Sequence, residues 1–267
     1  MLLTVARSMI GIKKGSDKMT DSTKTVLFDL DGTIIDSEEG ITNCIRYVLD
    51  YWKMEQPPQK DLLQFIGPPL KEQFQIVYGF DEIKAGVSDM KFRERFDRKG
   101  IFECALYPGI TDTLRQLKLR GYRIMLASSK HEEACVRIIE HFHLTHCFDG
   151  IFGAEGIGKG SSKEWVLNKL FHETGIDRAD AVLIGDTKYD VLGARAAGIP
   201  CIGAAYGFGS REELETAGAW SICNNTAEIE SCLDSFFKTE GDNYESIGNK
   251  RQRKKRREHS NPYQYCV

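Results

Sequence analysis

The chain has 267 residues and a mass of 30.2 kDa, enough for one large domain or two small ones. With 41% hydrophobic and 28% charged residues it has the balance of a soluble globular protein with a usable core. Its longest apolar runs fall far short of the ~20 residues a membrane span needs. The net charge of −3 is uneven: Lys250 to Glu258 hold seven bases against one acid, so the rest of the chain is acidic and offers no basic face to nucleic acid.

Residues 1–22 carry an apolar run cut by Arg7, with no basic leader and no small-residue cleavage site. They are expected to be a flexible segment outside the fold rather than a signal peptide, with Met19 a candidate alternative start. "KTVLFDL" then reads as a strand, and its apolar run does not alternate, so burial on both faces is expected. Ile41, Cys44, Ile45, Val48, Leu49 and Trp52 recur at helical spacing, with Ser37 as N-cap and Pro57–Pro58 as the stop. "DLLQFIG" predicts a short helix ended by Gly67, Pro68 and Pro69. Leu70 to Val77 and Glu82 to Lys99 predict two more, so residues 37–102 are helical with no clear strand.

From Pro108 strands and helices alternate. The expected helices are Thr111 to Arg120, Glu132 to His141, Ser162 to Thr174, Asp190 to Ala197, Arg211 to Ala217 and Ala227 to Phe237. The expected strands are "YRIMLAS", "DGIFG", "AVLIGD", "IPCIGA" and "AWSIC". This pattern predicts an α/β fold: a Rossmann-like parallel sheet with a small helical cap inserted after strand 1. The expected domains are a core of residues 23–36 and 106–238 and a cap of residues 37–105. A disordered basic tail is expected over 239–267.

In an open parallel sheet, ligands bind at the C-terminal strand ends. Here those ends carry Asp29 and Asp31, then Ser128, then Asp186, with Lys163 opening a helix between them. Any one of these aspartates alone could be a helix cap or turn residue. Several at one sheet edge repel one another unless a cation neutralises them, and Mg²⁺ prefers such oxygen ligands. Other features carry less. The eight cysteines form no C-x-x-C pair and read as buried free thiols of a reducing cytosol. His141, His143, His146 and Cys147 fit no standard zinc spacing. "GAEGIGKG" lacks the G-K-[ST] ending of a phosphate-binding loop and reads as a loop leading to Lys163.

"FDLDGT", Ser128 after "IMLA", Lys163 and "IGDTKYD", in that order and strand context, resemble the four motifs of the haloacid dehalogenase superfamily over about Thr25 to Phe237. Within it the chain resembles the phosphoglycolate phosphatase and 5′-nucleotidase-like subgroup, by "FIGPPL", "SSKHE" and "AAYGFGSREEL". The resemblance implies a Mg²⁺-dependent phosphomonoesterase with Asp29 as nucleophile and Asp31 as acid and base. Ser128 and Lys163 would hold phosphoryl oxygens. Asp29, the Asp31 carbonyl and Asp186 would bind the metal, with Asp190 in support. Gly32 would permit a tight backbone, and Thr33 would be an orienting hydrogen-bonder or a turn residue.

Asp31 separates the phosphotransferring members, which carry it, from the dehalogenases, which lack it. Gly67 and Lys71 of the cap are candidate specificity residues, Lys71 being equally readable as a solvated helix start. His131 stands where a proline is commoner. Two alternatives remain: a phosphomutase on the same scaffold, and a catalytically silent binding protein. The expected partner is a small phosphorylated metabolite, with no nucleic acid and no membrane. The chain is expected to be a cytoplasmic monomer or weak dimer.

Overall fold

The computed structural model describes residues 23–155, 160 and 162–239. The expected N-terminal segment, all but the first residue of the expected basic tail, and most of the glycine-containing loop before Lys163 lie outside the described residues. The first strand, β1, is Thr25–Phe28. It pairs in parallel on both sides, Phe28 standing beside Leu126 of one neighbour and Ile184 of the other. The apolar run explains this central place. Val26 and Phe28 enter one hydrophobic cluster and Leu27 enters the other, so neither face of the strand meets water.

Two residues of extended chain, β2 (Ile35–Asp36), lead into a helical segment. It comprises α1 (Glu38–Tyr51), the short α2 (Gln59–Leu62), α3 (Leu70–Tyr78) and α4 (Glu82–Arg98). On α1 the helical spacing buries Ile41, Cys44, Ile45, Val48 and Leu49. Trp52 follows half-buried, its indole N–H donating to Ser88 Oγ at 2.9 Å. Ser37 sits at the N-cap, but its hydroxyl is buried without a hydrogen-bond partner. Asp36 caps instead, accepting the Glu38 N–H at 3.0 Å. The ring of Phe74 stacks on Phe80 and packs tilted against Phe65, which fixes α3 against the turns on either side.

The chain returns through β3 (Ala105–Leu106), which pairs antiparallel with β2. Neither strand was expected, because two residues are too short to show a period of two. The pairing ties the exit and re-entry of the helical segment together. Arg95 of α4 reinforces the return, with a bidentate ion pair to Glu103 at 2.7 and 3.0 Å.

The alternating part follows as α5 (Ile110–Leu119), β4 (Arg123–His131), α6 (Glu132–His141), β5 (Gly150–Ala154), α7 (Lys163–Thr174), β6 (Ala181–Gly185), α8 (Lys188–Ala196), β7 (Cys201–Ala204), α9 (Arg211–Ala217) and β8 (Ser221–Cys223). A last helix, α10, spans 229–239. The strands form one six-stranded sheet in the order β5-β4-β1-β6-β7-β8, all parallel. The order reverses beside β1, so the crevice at its C-terminal end is the expected ligand position. β4 runs three residues beyond Ser128, with a register shift against β5 between Ala127 and His131. The seven described cysteines are free, five of them buried. Among the described residues no helix is long and apolar enough to cross a membrane.

Phe28 is fully buried at the centre of this sheet, whereas Ile76 on α3 is 76% exposed. Phe28→Ala should therefore lower the unfolding free energy by about 3–5 kcal/mol in a urea titration. Ile76→Ser should stay within about 0.5 kcal/mol of wild type.

Candidate active site

The sheet register brings the motif residues to one edge. Asp29 follows Phe28 and donates its backbone N–H to Ile184 O at 2.9 Å. Ser128 and Asp186 end the two flanking strands' apolar runs. After Asp29 the chain turns sharply: the N–H groups of Thr33, Ile34 and Ile35 all donate to Leu30 O. Gly32 makes this turn with φ +79°, and a Cβ there would overlap the Asp186 carboxylate.

Lys163 sits at the centre, with only 4% of its side chain exposed. Ser162 caps its helix by accepting the Trp165 N–H, and this aims the first residue of α7 at the sheet edge. The ammonium lies 2.7 Å from Asp29 Oδ1 and 2.9 Å from Asp190 Oδ1, and donates to Ala127 O at 2.8 Å. Burial works against its charge, but Asp190 and Asp29 outweigh burial and hold the ammonium above its ordinary pKa.

The carboxylates respond to the same surroundings. Burial pushes Asp29 up to about 6, with Lys163 opposing and Asp190 adding. Asp186 is raised well above the usual carboxylate range, first by burial and then by Asp190 and Asp29. Asp186 Oδ2 accepts the Phe208 N–H at 2.8 Å, while its Oδ1 is buried with no hydrogen-bond partner. Asp190 has both oxygens committed: Oδ1 to Lys163, Oδ2 to the N–H and hydroxyl of Thr187, each at 3.0 Å. The Thr187–Asp190 pair is a capping box that starts α8.

Asp29, Asp186 and Asp190 each bring one oxygen within 4.8 Å of the others. An orphaned buried carboxylate oxygen facing like charges fits a hard divalent cation, which takes oxygen ligands. Among the described residues the histidines and Cys147 near β5 form no such group.

Ser128 is buried and its hydroxyl accepts the Lys130 N–H at 3.3 Å. Thr33 is fully buried with its hydroxyl unpartnered, and its carbonyl accepts from the Tyr206 hydroxyl at 3.0 Å. Gly67, with φ +103°, brings the helical segment's turn to the rim, where a Cβ would lie 3.9 Å from Thr187 Cγ2. Lys71 is occupied elsewhere, its ammonium paired with Glu82 of α4.

Three contributors escaped sequence reasoning. Lys130 binds both oxygens of Asp31 at 2.7–2.8 Å. It stands in "SSKHE", where only its place after Ser128 signals it. Thr187 could have been found as the first residue of a T-x-x-D capping box. Phe208 acts through its backbone N–H, which no side-chain pattern announces.

The comparisons with known proteins agree with this geometry. The family model described as haloacid dehalogenase-like hydrolase matches residues 26–204. A 5′-nucleotidase of Pseudomonas aeruginosa is 37% identical over 210 residues, covering 79% of this chain and 95% of that protein. The tyrosine-protein kinase PtkA of Mycobacterium tuberculosis is 31% identical over 216 residues, covering 81% of this chain and 73% of that one. A crystal structure of a predicted phosphatase from Clostridium acetobutylicum matches with a TM-score of 0.76 and 42% identity, over 80% of this chain and all of that one. On these grounds the chain belongs to the haloacid dehalogenase-like hydrolases.

Proposed function

We propose that this hydrolase is a Mg²⁺-dependent phosphatase of small phosphomonoesters that works through an aspartyl-phosphate on Asp29. The observation that carries the reading is the separation of the two aspartates by their lysines. Asp29 shares Lys163 with Asp190, while Asp31 has Lys130 to itself. Two carboxylates one residue apart thus sit in different electrostatic settings, as a nucleophile and an acid/base must.

In this mechanism an Asp29 oxygen attacks phosphorus as the bond to the leaving oxygen breaks. Asp31 gives that oxygen a proton. Water then attacks phosphorus, Asp31 takes its proton, and Asp29 is released. Lys163 and Ser128 hold the phosphoryl oxygens, and Lys163 offsets the charge of Asp29 as a dianion approaches. Asp29, Asp186 and the Asp31 carbonyl would hold Mg²⁺, which would supply further positive charge against the phosphate. Asp190, with both oxygens engaged, supports the site by holding Lys163. Helices α1–α4 act as the cap, and Gly67 at the rim reads the leaving group. The 5′-nucleotidase named above supports a 5′-nucleotide-like substrate, with a phosphoglycolate-like one as the alternative within the same subgroup. The likeness to a named tyrosine-protein kinase supports a second reading, in which a hydroxyl replaces water as the phosphoryl acceptor. Release of inorganic phosphate, with no phosphorylated product, would decide for the first.

Asp29→Asn should abolish turnover of p-nitrophenyl phosphate, by several orders of magnitude, while the protein still melts cooperatively. Wild-type-like turnover in that variant would remove Asp29 from the chemistry. Asp186 tests the metal without an activity readout. Its raised pKa means the folded state prefers the protonated form. Its contribution is therefore fully present below the unfolded carboxylate pKa and is lost as pH rises through the folded value. In EDTA near neutral pH, Asp186→Asn should melt a few degrees above wild type, with the gap closing as pH falls. Millimolar Mg²⁺ should raise the wild-type Tm and leave the variant unmoved. A wild-type Tm indifferent to Mg²⁺ would refute the metal site.

Specificity is tested at the rim. Gly67→Val, strained at positive φ, should raise KM for a nucleoside monophosphate far more than for p-nitrophenyl phosphate. Lys71→Ala should change both little, since that ammonium serves Glu82.

A further inference from the structure

Lys130 is bound at both ends of a path between the helical cap and Asp31. Its ammonium donates to both Asp31 oxygens, at 2.8 and 2.7 Å, with the two side chains 11% and 21% exposed. The same ammonium lies 4.8 Å from the ring centroid of Phe96 on α4. A cation over an aromatic face is held by the ring's electron density, and more so when partly desolvated. The backbone of Lys130 is fixed as well. Its N–H donates to Ser128 Oγ, and its carbonyl accepts from the Cys135 thiol. The seat of α4 on this corner is secured by Arg137 of α6, which donates to Asp97 O at 2.8 Å and lies over the Phe102 ring.

A single ammonium on both oxygens fixes the rotation of the Asp31 carboxyl. That orientation matters in the second half of the proposed cycle. There Asp31 accepts a proton from the attacking water, the water oxygen bonds to phosphorus, and the bond from phosphorus to Asp29 breaks. We propose that Lys130 is a positioning residue that sets Asp31 as the base for this dephosphorylation step, and that Phe96 of the cap keeps Lys130 in place. Water attack is thereby coupled to the cap's seat on the core. The inference rests on the aspartyl-phosphate reading above.

p-Nitrophenolate leaves without needing a proton, so with p-nitrophenyl phosphate the first half of the cycle is insensitive to Asp31. The full-length protein with Mg²⁺ should be followed in a stopped-flow instrument. Lys130→Met keeps the stem and removes the charge. It should give a burst approaching one p-nitrophenolate per site at the wild-type rate, followed by a steady state at least about ten-fold slower. Phe96→Leu keeps apolar volume and removes the ring. It should show the same burst with a smaller steady-state loss, and it carries the test if Lys130→Met does not fold. Wild-type turnover in both variants, an equal slowing of burst and steady state, or a rise in KM alone would each overturn the proposal. Asp29→Asn run alongside separates the two ideas. Turnover in Asp29→Asn defeats the covalent reading itself. A dead Asp29→Asn beside a Lys130→Met without a burst defeats only the role of Lys130.

Discussion

The ammonium of Lys163, sealed between Asp29, Asp190 and the carbonyl of Ala127, is the contact on which the rest of the site depends. It lies where three buried carboxylates meet at one sheet edge, in surroundings where like charges repel far more strongly than in water. Its loss would leave Asp29 and Asp190 buried without a counter-charge, the costly way to break a buried pair. The parallel register places β1 and its neighbours so that the edge forms. The Ser162 cap aims α7 at it, and the Thr187–Asp190 capping box does the same for α8. Helix termini and strand ends thus converge on one cation, and the burial that makes the site costly also makes its charges effective.

A second cation serves the second aspartate. Lys130 reaches Asp31 from β4, where the register shift past Ala127 lets the strand continue to His131. Both lysines come from the half of the chain after the helical segment, and both aspartates precede it. The site is complete only when the segment has closed on itself through β2 and β3. The Phe96 ring on α4 then faces Lys130, so the packing of the helical segment and the electrostatics of the core share a boundary. Continuous apolar packing supports this: Ile45 and Phe74 of the helical segment lie in the same cluster as Phe28 and Ile184 of the sheet.

Most of the fold was legible because its signals are local. The unbroken apolar run of β1, the helical spacing from Ile41 to Trp52 and the alternation after Pro108 each fall within a single element. The bounds of α6 and α9 agree with the expectation to the residue. What stayed hidden depends on chain partners distant in sequence. The pairing of β2 with β3 joins residues about seventy positions apart and spans two residues on each side. Ser37 looked like the cap of α1, yet it is Asp36 that accepts the Glu38 N–H, while the Ser37 hydroxyl is buried without a partner. In the site, Asp29, Asp31, Ser128, Lys163 and Asp186 were visible from their places at strand ends and a helix start. Lys130 was not, because a lysine beside two serines has no periodicity to mark it. Its meaning comes from Asp31, ninety-nine residues away. Lys71 shows the converse. Its place at the start of a helix read equally as a ligand contact or a solvated residue, and its pairing with a glutamate on the next helix depends on the fold.

The central claim is that Asp29 carries the phosphoryl group between substrate and acceptor. The most direct measurement is an acid-quenched single turnover with a radiolabelled phosphomonoester, using Asp31→Asn to slow release, followed by peptide mapping. The account predicts label on the peptide that contains Asp29, removable by hydroxylamine as expected of an acyl phosphate. Label on another residue, or release of the alcohol with no labelled protein at any time, would contradict it.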